Sequence, residues 1–150
     1  MKRMFFLGLT ALGLAAIPVR ADLKRALAEP NLERRARLAW ENAEAQVKAA
    51  AKNYAAGDWE TTMESLKEVR ESLALAQQSL AAAVKNPRNS RSYKNFEVRT
   101  RAILKHLGAL HERMSFDERQ QIEGLVEPIR KIHDDALWAV MGGRPSEKPR

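Results

Sequence analysis

The side chains with chemistry to offer are three histidines, two aspartates beside one of them, and a dense set of cations. His133-Asp134-Asp135 is the densest titratable cluster. Neighbouring helical positions point about 100° apart, so it reads as a solvated edge rather than an acid–base pair. His106 and His111 stand five positions apart, about 140° around a helix, and do not converge on one ion. The Glu-x-x-His pair of bundle di-iron sites is missing, because Ile103, Gly108 and Arg130 occupy the positions three before the histidines. Without cysteine, c-type haem attachment, disulfides and a lipid-modified cysteine are excluded. His133 shares a helical row with Val126 and Val140 and could point partly inward as a haem or metal ligand. Its half of the helix is expected beside the start of the first long helix and the end of the second, which offer neither methionine nor histidine. It therefore reads as a half-buried rim histidine bonded to a neighbour, with a metal or cofactor carrier at His133 kept as a third alternative. The serines fall at caps, turns and helix surfaces, and neither Gly-x-Ser-x-Gly nor a phosphate loop occurs. No catalytic residue, cofactor or metal is assigned, and no enzyme activity is expected.

The cations are the stronger signal. Lys85, Arg88, Arg91, Lys94, Arg99, Arg101, Lys105 and Arg113 stand in one loop and helix, with only Glu97 and Glu112 among them. One reading is a solvated face partly paired with the acidic side of the second long helix. The other is a docking strip for an anionic surface, a protein or an envelope component, built on Arg88, Arg91, Lys94, Arg101 and Lys105. Tyr93 and Phe96 belong to the apolar seam of the same helix and leave that face without aromatics. This argues against stacking on single-stranded nucleic acid.

Part of the basicity belongs to the leader. Lys2 and Arg3 precede an apolar run from Met4 to Ile17, and Val19-Arg20-Ala21 offers a cut site, the pattern of a secretory signal peptide over 1–21. The run falls short of the ~20 residues that span a bilayer. Cleavage would leave no stable membrane span, and an uncleaved anchor is the alternative. Removing the leader's three cations from 26 leaves 23 against 19 acidic residues, +4 rather than +7. A nucleic-acid role then loses most of its support. Export to a periplasm or the exterior is the expectation.

Four long helices must position these groups. Residues 22–30 read as a lead-in, a loose helical turn or spacer, and Pro30-Asn31 opens the first helix. Its apolar rows are Ala36, Ala43, Ala50 and Trp40, Val47, Tyr54. Gly57-Asp58 turns the chain. The second helix repeats Trp59, Leu66, Leu73 and Leu80, with an outer face carrying Asp58, Glu60, Glu64, Glu68 and Glu71, and Asn86-Pro87 stops it. The third carries a heptad seam of Tyr93, Phe96, Thr100, Ile103, Leu107, Leu110 and Met114. A capping box at Ser115-Phe116-Asp117-Glu118 opens the fourth, whose core row is Ile122, Leu125, Ile129, Ile132, Ala136 and Val140, interrupted by Pro128. Gly142-Gly143 ends it, and 142–150 is read as a flexible tail.

Tyr54, Gly57, Asp58 and Trp59 stand as the aromatic-x-x-Gly-Asp-aromatic turn of a tetratricopeptide-repeat hairpin does, and this turn resembles that one. Thr62 replaces the family's alanine and no copy follows at a 34-residue period, so the resemblance implies a tight hairpin and no more. Met114 to Ile122 is similar to the Leu-Thr-x-x-Gln segment of small envelope-stress chaperones, and the capping box explains the same residues.

The expectation is an all-α protein, an antiparallel up-down-up-down four-helix bundle over 31–141. Its function would be that of an exported, cofactor-free binding module, adaptor or chaperone-like, for a protein or anionic envelope component. The alternative is a structural, self-assembling protein, for instance a homodimer, because the first helix has two adjacent apolar rows.

Overall fold

The structure is a computed structural model that describes residues 20–143. These are all-helical, with no strand among them: α1 (Arg20–Ala28), α2 (Leu32–Ala55), α3 (Trp59–Ala83), a 3-10 turn (Pro87–Asn89), α4 (Arg91–Arg113) and α5 (Phe116–Met141). The signal-peptide reading falls almost wholly outside the described residues, as does most of the tail. No described helix is long and apolar enough to cross a membrane.

Local chemistry sets the helix ends. Asn31, Asp58, Ser90 and Ser115 each accept, at the side chain, the backbone N–H three residues on. This satisfies amides that have no partner inside the helix. At Ser115 the capping box is complete, since Glu118 accepts the Ser115 N–H at 2.8 Å. Gly57 and Gly142 end α2 and α5 at φ +77° and +83°, the left-handed region that glycine enters without strain. Pro128 lies inside α5, which runs unbroken through it.

All seven seam residues of α4, Tyr93 to Met114, are buried, as are Leu66, Leu73 and Leu80 of α3. The two rows of α2 are filled within the chain. Ala36, Ala43 and Ala50 are fully buried, and Trp40 tilts against Phe96 of α4 with ring centroids 6.0 Å apart. The second row thus packs within the chain.

Side-chain pairs give the helix directions. α2 and α3 run antiparallel, with Asn42 bonded to Ser72 and Asn53 near Ser65. α4 and α5 are antiparallel through Glu97 and His133. Along α2 and α4 the numbers rise together: Glu33 with Ser92, Trp40 with Phe96, Glu44 with Arg99, Tyr54 with Arg113. The two hairpins therefore stack in the same orientation, with α3 beside α5 and α2 beside α4. The expected neighbours of the fourth long helix were the start of the first and the end of the second. The contacts place α5 against α4 and against α3, the second expected neighbour, and it meets α2 only where Tyr54 bonds Glu118.

Five helices replace the four expected, because the lead-in is itself a helix. α1 packs on α2 and α3 with Ala26 fully buried, and Arg35 Nε donates to the Glu29 carbonyl at 2.8 Å to hold the following turn. Leu23, Lys24 and Leu27 lie over Glu64, Lys67, Glu68 and Glu71, the side of α3 opposite Leu66 and Leu73. This corrects the reading of Glu68 as part of a solvated acidic face. It is 7% exposed and accepts from Asn42 Nδ2 at 2.9 Å. Glu68 faces the α2–α3 seam beside α1, while Glu64 and Glu71 remain exposed.

Gly108 and Gly124 sit inside exposed helix surface, with open space where a Cβ would stand. Glycine loses more chain entropy than alanine on forming a helix. Gly108→Ala and Gly124→Ala are each expected to stabilise the fold by about 0.5–1 kcal/mol, readable as a higher denaturant midpoint.

Candidate binding surfaces

The capped turn at Ser90 and the heptad seam together decide which way the cations of α4 point. With Tyr93, Phe96, Thr100 and Ile103 turned to the core, positions 91, 94, 98, 101 and 105 fall on the outer side. Arg91, Lys94, Arg101 and Lys105 are accordingly exposed, and Val98 between them is 53% exposed. Arg88 precedes them in the 3-10 turn, and its side chain lies against Gly142, where an added methyl would stand 3.2 Å from its Cδ.

The eight cations of this region divide by their partners. Arg99 reaches Glu44 of α2 at 3.2 Å, Arg113 lies 5.8 Å from the centre of the Tyr54 ring, and Arg101 binds Glu97 through two bonds of 3.0 and 2.6 Å. None of these partners is on α3, whose acidic side was one expected counterpart. Lys85, Arg88, Arg91, Lys94 and Lys105 have no ion-pair partner among the described residues. Of the five-residue face read from the sequence, the structure keeps Arg91, Lys94 and Lys105 as free charges on one helix face. Arg88 stands at its start, and Arg101 is spent on Glu97.

Glu97 ties that face to α5. Its carboxylate is 5% exposed and meets Arg101 and His133 Nε2, the latter at 3.2 Å. His133 Nδ1 lies 3.2 Å from Asp134. The Arg101 guanidinium, more than offsetting burial, holds the Glu97 carboxyl below the usual carboxylate range, with His133 adding to the effect. Both ring nitrogens of His133 are therefore engaged by carboxylates, and its side chain is 14% exposed. The sequence reading anticipated a rim histidine with a bonded neighbour, although not Glu97, which is 36 residues away. Among the described residues no three His, Cys, Asp or Glu side chains gather as a metal site. The group at His133 has the form of a charge clamp between α4 and α5.

At the opposite end Tyr54 joins the two hairpin turns. Its hydroxyl lies 3.0 Å from both the Arg113 carbonyl and the Glu118 carboxylate, and its ring meets Trp59 edge-on at 6.4 Å. The aromatic-Gly-Asp-aromatic turn thus closes onto the α4–α5 turn. Within α2, Asn42 Oδ1 and Gln46 Oε1 are buried without a hydrogen-bond partner among the described residues. Sequence spacing gave no sign of that polar seam, because asparagine and glutamine read as surface residues until a covering helix is known.

Comparison of the chain with protein-family models, with curated proteins and with solved structures finds no match.

Proposed function

We propose that this chain is an exported, non-enzymatic binding module that docks an anionic protein or envelope component on the outer face of α4. In architecture we read α2 to α5 as an up-down-up-down four-helix bundle made of two helical hairpins, with α1 laid on the first. One observation carries the function: Arg91, Lys94 and Lys105 are exposed, aligned and unpaired, while the cations beside them are consumed by Glu44, Glu97 and Tyr54. Unpaired like charges on one face repel one another, and an anionic partner relieves that repulsion. The exposed Val98 gives the strip an apolar contact at its middle.

The test replaces Arg91, Lys94 and Lys105 together by glutamate and leaves Arg101 in place, because a carboxylate there would face Glu97 and unsettle the fold. Each cation near an anionic surface contributes roughly 1 kcal/mol. Co-sedimentation with isolated envelope material is expected to weaken at least tenfold in the triple variant, and to weaken with added salt in the parent. Unchanged binding, or binding indifferent to salt, would remove the strip as the cause.

A further inference from the structure

A second surface lies away from the outer face of α4. Between the C-terminal halves of parallel α3 and α5, with the 3-10 turn at one end, lies an open groove of about 1050 Å³. Small side chains make the gap: Ala74 and Ala81 line it from α3, Ala136 and Ala139 from α5. On the α3 side it is lined by Ala74, Gln77, Gln78 and Ala81, two helical turns or about 11 Å at ~1.5 Å per residue, and by Val84 and Lys85 just past the helix end.

Three features make this more than a gap between helices. Lys85, Arg88 and Lys131 line it, none with an ion-pair partner among the described residues, against Asp135 alone, which accepts from Gln77 at 3.3 Å. Trp138, 40% exposed, stands along it as a large apolar contact. Tyr93 also lines it; the residue is 7% exposed, yet its hydroxyl has no hydrogen-bond partner among the described residues. That hydroxyl keeps contact with solvent, so the groove offers a phenol O–H beside its cations.

We propose that this groove docks an acidic amphipathic helix of a partner protein, its apolar side on the alanine floor and Trp138, its carboxylates at Lys85, Arg88 and Lys131. Two turns of groove wall on α3 suit a helix-in-groove contact, in which anchors one turn apart enter an apolar channel. The chain's own last residues are the wrong charge for it, since Arg144, Lys148 and Arg150 outnumber Glu147. The inference does not depend on the α4 strip, with which the groove shares only Arg88.

The probe is a pair of synthetic 18-residue helical peptides with the same leucine and phenylalanine face, one flanked by glutamates and the other by lysines. Titrations by calorimetry use the chain itself and three variants: Ala81→Trp, which fills the groove from an exposed position, Lys85→Glu with Lys131→Glu, and Lys94→Glu with Lys105→Glu. Saturable binding of the glutamate peptide is expected, with the lysine peptide at least tenfold weaker. Both groove variants should lose at least tenfold in affinity, and the α4 variant should not. Absence of saturable binding, equal binding of both peptides, or affinity untouched by Ala81→Trp would overturn the proposal. Self-association of the chain in sedimentation, abolished by Ala81→Trp, would assign the groove to a second copy and overturn it equally. The triple variant used above fails or succeeds separately, so the two readings can fall apart from each other.

Discussion

Phe96→Ala is expected to destabilise the protein by about 3–5 kcal/mol, the usual cost of truncating a fully buried phenylalanine. Phe96 is fully buried and packs on Trp40, so the change both opens a cavity and removes the aromatic contact that joins the first hairpin to the second. Chemical denaturation followed by circular dichroism measures the loss. A companion at Leu73, also fully buried on α3, separates two kinds of damage. Leu73→Ala should cost a comparable 2–5 kcal/mol. Tryptophan emission from Trp40 should shift to the red in folded Phe96→Ala and hold in folded Leu73→Ala. A loss below 1 kcal/mol for Phe96→Ala would mean that the hairpins are not held by this contact.

Glu97→Ala is the second large effect, about 2 kcal/mol at neutral pH. Hydrogen bonds to a charged group contribute roughly 1.5–3 kcal/mol; the larger buried-pair penalty does not apply, because the Arg101 side chain is 64% exposed and returns its charge to water. The same residue sets an acid dependence. Its folded carboxyl is held below the ordinary glutamate value, chiefly by Arg101. As pH falls, the unfolded chain therefore takes up the proton first. The stabilisation is complete above the ordinary glutamate range of about 4.3 and drains away as pH drops below it. In Glu97→Ala that part of the acid sensitivity should vanish, so the denaturation midpoints of parent and variant converge towards pH 3. Parallel pH profiles would show that the clamp contributes nothing.

The long helices were legible because their signals are local. Seven positions spaced by three and four residues mark the α4 seam, and Asn31, Asp58, Ser90 and Ser115 mark starts that need only three residues of context. What escaped depends on distant chain. Glu68 carries the spacing of a solvated acidic face and is buried where α2, through Asn42, and α1 both meet α3. α1 itself has too few turns for its amphipathic period to stand out from a spacer. Glu97 and His133 are separated by a whole hairpin, and their pairing follows from how α4 and α5 are registered, which periodicity leaves open. Heptads likewise demand lateral partners without saying which: the same rows satisfy a ring in which the first and fourth long helices pack together and the observed stack in which they meet only through Tyr54 and Glu118. The candidate face was half legible. Helical spacing put Arg91, Lys94, Arg101 and Lys105 on one side, but only the structure shows that Glu97 withdraws Arg101 from it.

The like orientation of the two hairpins gives the molecule a polarity. Bodies related by a shift along a line, rather than by a two-fold turn, present unlike terminal surfaces, and repetition of the shift never closes. At one terminus α1 already occupies the flank of α2 and α3 and acts as the end-piece that a stacked array requires. The other terminus, the flank of α4 and α5, carries no such piece among the described residues. That uncovered flank is the one that presents Arg91, Lys94 and Lys105.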